Sequence, residues 1–106
     1  MSQSTERAQA VDRAWQELRR APFPDSLRGA TFAGADVWLI EWDIAGCVVR
    51  WIDDGVLDAE DGALLRSRVE DLGRVVPEIG EPAGGEYCRR LRRLALLVSE
   101  DLPRAR

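Results

Sequence analysis

The sequence predicts an all-α domain: a small bundle of about four helices around a buried central helix over residues 36–54. Three observations predict it. Apolar residues recur at helical spacing in four separate stretches. Prolines, glycines and capping residues punctuate the gaps between them. One stretch, Asp36 to Gly55, is apolar around most of a helical wheel, as a helix enclosed by others should be. The 106 residues read as a single domain, 1–106, long enough to hold a real core.

The first helix spans about Ser4 to Arg20. Ala8, Val11, Trp15 and Leu18 form its apolar stripe, and Ser4 or Thr5 is the expected cap. Pro22 and Pro24 end it and hold Phe23 in extended backbone, where it anchors the connection to the core. Residues 27–34, with two glycines, Thr31 and Phe32, read as a turn or at most a short hairpin.

The central helix follows. Asp36 is its N-cap and Gly55 its left-handed C-terminal residue. With Val37 at zero on the wheel, Ile40, Ile44, Cys47, Val48 and Trp51 share one broad face. Trp38, Trp42, Ala45, Val49 and Ile52 continue it. Only Leu39, Asp43, Gly46 and Arg50 are expected to be wet. The run is too short and too charged to span a membrane.

Three of its residues break local rules. Glu41 points into the apolar face, where a carboxylate is costly unless paired or protonated. The expected remedy is an arginine or backbone partner inside the fold; a working acid or a ligand contact is the other reading. Gly46 costs roughly 0.5–1 kcal/mol relative to alanine and suits the close approach of another backbone. Asp53 and Asp54 stand at the negative end of the helix dipole, which favours cations.

Asp58 is the N-cap of a third helix, with Asp61 at capping-box spacing. Leu65, Val69, Leu72 and Val76 make its stripe, with Leu64 and Val75 beside it, and Pro77 stops it. Glu70 and Arg74 are spaced for a surface ion pair. The segment from Pro77 to Gly85 reads as a loop. The last helix spans about Glu86 to Asp101, on a stripe of Tyr87, Leu91, Leu94, Val98 and Leu102, and ends before Pro103.

Composition closes several chemistries. The chain has no histidine, no lysine and no asparagine, and all 15 basic residues are arginine. Histidine-based catalysis and the usual zinc sites are therefore closed. Cys47 and Cys88 lack a CxxC spacing and read as buried free thiols. The carboxylate-rich segment from Asp53 to Gly62 does not fit a calcium-loop spacing, and neither nucleotide-binding glycine motif is present. No cofactor and no metal is expected, and the balance leans away from an enzyme. With no basic, apolar leader at the N-terminus, the expected location is the cytoplasm.

Charge is uneven. Residues 36–61 carry eight acidic side chains and one arginine; residues 82–106 carry three acidic side chains and six arginines. The acidic corner of Asp53, Asp54, Asp58, Glu60 and Asp61 is the candidate docking surface for a protein partner of basic character. The basic patch of Arg89, Arg90, Arg92 and Arg93 is the other candidate. A net charge of −4 and the absence of any nucleic-acid-binding motif count against nucleic acid there. The last helix pairs an apolar face with an arginine-rich one, yet its leucines are better used as core than on a membrane.

The function expected is a small acidic non-enzymatic protein that binds another protein, of the immunity, antitoxin or regulatory adaptor kind. The alternatives are a helical small-ligand-binding or catalytic domain built on Glu41, and an obligate homodimer with a tryptophan-rich interface.

Overall fold

Asp36 starts the second helix: its carboxylate accepts the N–H of Trp38 at 2.9 Å. That helix, α2 (Val37–Asp54), ends at Gly55, whose left-handed backbone (φ 79°) brings its N–H to the carbonyl of Trp51 at 2.8 Å. The computed structural model describes residues 3–102. Before α2 come α1 (Gln3–Arg20), a 3₁₀ turn at Asp25–Leu27, and the strands β1 (Thr31–Phe32) and β2 (Ala35–Asp36). After it come α3 (Ala59–Val75), a 3₁₀ turn at Val76–Glu78, and α4 (Pro82–Ser99).

The all-α class and the four helices are as the sequence predicts. Residues 31–36 form a minimal antiparallel hairpin, with Thr31 opposite Asp36 and Phe32 opposite Ala35. Its turn residues Ala33 and Gly34 both have positive φ, as a tight two-residue hairpin loop requires. α1 begins at Gln3, so Ser4 and Thr5 lie in its first turn instead of capping it. Pro103 lies outside the described residues.

The largest departure is at the start of α4. The helix begins at Pro82, four residues earlier than its apolar stripe indicates. Glu81 caps it, accepting the N–H groups of Ala83 (2.8 Å) and Gly84 (2.6 Å). Proline suits a first helical turn. Gly84 and Gly85 are therefore buried helix, not loop. The reason is proximity: a Cβ on Gly84 would stand 3.1 Å from Leu27 and 3.2 Å from Ile79. Glycine lets the turn that carries Leu27, itself fully buried, sit directly on α4.

The stripes meet in one core. Val11 and Leu18 enter from α1, Ile40, Ile44, Cys47, Val48 and Trp51 from α2. Leu65, Val69, Leu72 and Val75 enter from α3, and Tyr87, Cys88, Leu91, Leu94, Ala95 and Val98 from α4. Ala8 is exposed, and Val75 takes the place expected for Val76, which is half-buried at the 3₁₀ turn. Two ion pairs join α2 to α3. Arg50 donates to both carboxylate oxygens of Asp61, at 2.9 and 3.1 Å. Arg68 donates to Asp43 at 2.8 Å and to Asp71 at 2.7 Å. Arg74 pairs with Asp71, three residues back, and not with Glu70.

The principal extents are 40 × 31 × 19 Å. A helix with side chains is about 10–12 Å across, so the short dimension holds only two layers. In a two-layer slab every helix keeps one face outward, and α2 does too. The expectation that α2 is enclosed on nearly all sides is thus corrected: its inner face is core and its outer face is solvent-exposed.

Candidate functional site

Five large apolar side chains of α2 are exposed: Trp38, Leu39, Trp42, Val49 and Ile52. Trp42 is the barest, at 68%. Four of these were expected to be covered, and Leu39 alone to be wet. On the chain, Trp38, Trp42, Ala45, Val49 and Ile52 are spaced four, three, four and three residues apart. That is a heptad seam, and it flanks the core-facing residues, with Glu41 on the border between the two sets. Val56, also exposed, continues the interval just beyond the helix.

Two features edge this seam. Gly46 faces Arg50: the nearest atoms to a Cβ built there are those of the Arg50 guanidinium, the closest at 3.4 Å. Among the described residues, no backbone of another element comes closer to it than that side chain. Asp53 and Asp54 are exposed, and neither forms an ion pair among the described residues. A groove of about 460 Å³ runs between α1 and α2 beside Val49 and Ile52, with Asp12, Arg19 and Asp53 on its rim.

The acidic corner divides by role. Asp58 caps α3 through the N–H of Asp61 at 2.7 Å. Asp61 is held by Arg50. Asp53, Asp54 and Glu60 remain as free surface charge among the described residues. In the basic patch, Arg89 and Arg90 both reach Glu86, at 3.6 and 3.0 Å. Arg89, Arg92 and Arg93 border an apolar groove of about 500 Å³ with Gly73, Pro77 and Leu96. The Nε of Arg92 is buried there without a hydrogen-bond partner among the described residues.

Glu41 stands apart from both clusters. It is half-buried, and no described residue offers it a hydrogen bond or an ion pair. The internal partner expected from the sequence is not found among the described residues. Burial pushes its carboxyl above the ordinary value. It borders a small pocket of about 210 Å³ whose walls include Trp15, Phe23, Trp38 and Tyr87. Phe23 meets Trp38 edge to face at 5.3 Å between ring centres, and Tyr87 likewise at 5.4 Å. Burial, and next the charge of Glu41, push the Tyr87 phenol up to about 12. The Arg19 guanidinium, on the same rim, lies 5.8 Å from the centre of the Trp15 ring.

The rings come from α1, the proline-flanked connection, α2 and α4. The sequence assigns each of them to core or anchor, and no local spacing links them. Only Glu41, out of place on its own wheel, signals that anything unusual lies there.

The thiols are poorly suited to nucleophilic work. Cys47 is fully buried and its pKa is raised, by burial first and by Asp61 second. Burial lifts Cys88 to about 11. Both are free. Among the described residues, no group of three or more Cys, Asp or Glu is arranged to hold a metal ion, and no helix is long and apolar enough to cross a membrane. No family model matches this chain, and no curated protein or solved structure does.

Proposed function

We propose that this chain is a non-enzymatic binding protein that takes a helix of a partner protein along the outer face of α2. One observation carries the reading: the exposed residues Trp38, Trp42, Val49 and Ile52, with half-buried Ala45 among them, follow heptad spacing. That period is what a second helix needs to stay in contact along its length. Exposed apolar patches larger than a few hundred Å² mark interaction sites, and two tryptophans 44% and 68% exposed supply part of such an area.

The partner helix is basic beside its apolar stripe. Asp53 and Asp54 stand at the end of the seam with no internal counter-charge among the described residues. Partner arginines or lysines there would speed encounter and reject acidic helices. An adaptor, antitoxin or immunity role suits this arrangement. The two free buried cysteines favour a reducing cytoplasm as the place of work.

The test uses two synthetic amphipathic helices with leucine at heptad positions, one flanked by arginines and one by glutamates. The basic helix should bind, Trp42→Glu should abolish binding, and Asp53→Asn with Asp54→Asn should weaken it about tenfold or less without lowering the melting temperature. Equal binding of the acidic helix sinks the charge assignment. Light scattering separates the other occupant: a dimer that Trp42→Glu dissociates would put a second copy of the chain on this face.

A further inference from the structure

We propose that the pocket beside Glu41 binds a small organic cation of the alkylated ammonium type, with the Glu41 carboxylate as its counter-charge and the rings of Trp15, Phe23, Trp38 and Tyr87 as its walls. The argument does not depend on the helix-docking face, with which it shares only Trp38.

The first step is the carboxylate. Glu41 is half-buried on the apolar flank of α2 and has no partner among the described residues. A charge taken partly out of water and left unpaired is unfavourable. A cation arriving in the pocket supplies what the fold does not.

The second step is the wall. Aromatic faces attract cations, most strongly where water is excluded, and rings grouped around a carboxylate recognise quaternary and methylated ammonium groups. Here four rings from four segments border one small space with a single acid. Three of the four rings brace one another, because Phe23 packs edge to face with both Trp38 and Tyr87. The wall already holds a cation at its rim, since Arg19 sits over Trp15. Arg19 stops there and forms no ion pair with Glu41.

The third step is selection. An anion is repelled by Glu41. A neutral apolar guest leaves the carboxylate unpaired. A bare ammonium is strongly hydrated and loses that water on entry, whereas an alkylated one shows the rings an apolar shell and still delivers its charge. The volume, about 210 Å³, is below the roughly 300–1,000 Å³ of pockets that enclose drug-sized molecules. The guest is therefore a small molecule or the head of a larger one.

Both sources can be probed directly. Choline represents the free cation, and a short peptide with one trimethyllysine represents a modified side chain. The neutral control is 3,3-dimethylbutanol, choline with carbon in place of nitrogen. The readout is the indole N–H resonance of each tryptophan, assigned by single Trp→Phe variants. Choline should shift Trp15 and Trp38 saturably and leave Trp51, which is in the core, unmoved. The neutral control should bind about tenfold more weakly or not at all. Glu41→Gln should lose about tenfold in choline affinity, and Trp38→Leu should lose several-fold. Trp38 is partly exposed, so that second variant keeps the fold if the first does not. A peptide that binds more tightly than choline assigns the site to a modified side chain; the reverse assigns it to a free cation. Absence of any shift at Trp15 and Trp38, equal binding of the neutral control, or unchanged affinity in Glu41→Gln each overturns the proposal.

Discussion

The indole N–H of Trp51 donates to Oδ2 of Asp101 at 3.2 Å, joining the last turn of α2 to the residues just past α4. Trp51 is 6% exposed, so its donor has little recourse to water. The other oxygen of Asp101 lies 3.8 Å from Nε of Arg7, whose Nη1 donates to the carbonyl of Leu97 at 2.8 Å. One carboxylate thus gathers α1, α2 and α4 at one end of the slab. Asp101→Ala should destabilise the fold by about 1–3 kcal/mol, the cost of an unsatisfied buried donor. A thermal melt checks it, at roughly 4–8 °C per kcal/mol for a domain near this size. Asp101→Asn keeps an acceptor and should recover most of the loss.

A second prediction follows from Glu41 and pH. Burial raises its pKa in the folded state above the ordinary carboxylate value. The folded form therefore holds the proton more tightly than the unfolded form. Its contribution is fully favourable below the ordinary value and is lost as pH rises through the folded pKa. At neutral pH the ionised carboxylate is a burden. Glu41→Gln should then melt higher than the natural chain at pH 7, by no more than about 1 kcal/mol because half the group remains in solvent. The difference should close as pH falls below the ordinary carboxylate value. An internal ion pair would give the opposite sign, so melting curves at two pH values separate the two.

Two glycines in helices should respond oppositely to alanine. At Gly46 the nearest neighbour of the new methyl is the mobile end of the Arg50 side chain, at 3.4 Å. Gly46→Ala should stabilise the chain by roughly 0.5–1 kcal/mol through lower backbone entropy. At Gly84 the methyl would be wedged between Leu27, Ile79 and the capping Glu81, all within 3.2 Å. Overpacking of that kind costs about 1–3 kcal/mol, more than the helix propensity returns, so Gly84→Ala should destabilise. Denaturant titration with unchanged slope would show both as changes in stability. Gly46→Ala should also weaken partner-helix binding, because its methyl projects into the space beside the seam.

Much of the fold was legible because each helix announces itself locally. Asp36 and Asp58 are capping residues at their expected places, and Gly55 closes α2 as its type suggests. The start of α4 was not legible. Pro82, Gly84 and Gly85 look like loop residues, and the approach of Ile79 and of Leu27, 57 positions earlier in the chain, explains why a glycine stands at position 84 inside the helix. The outer face of α2 was misread for a related reason. A wheel reports which residues are apolar, not how many neighbours exist to cover them. With two layers of helices there is nothing outside Trp42 to bury it. Glu41 was legible as an exception, but the rings around it come from four segments and converge only in space.

The two α2–α3 ion pairs also settle a choice of rotational register. α2 carries two apolar seams at heptad spacing: Val37, Ile40, Ile44, Cys47 and Trp51 inside, and Trp38, Trp42, Ala45, Val49 and Ile52 outside. Hydrophobicity alone leaves the helix near-degenerate, since turning it by roughly 140° would offer the core the larger set of rings. That turn would carry Asp43 away from Arg68 and Arg50 away from Asp61. Partly exposed pairs add little to stability. Their larger effect is to widen the gap between the native packing and its rotated twin, which is what makes a landscape funnel to one state. The outward seam is thereby kept free of the core that would otherwise compete for it.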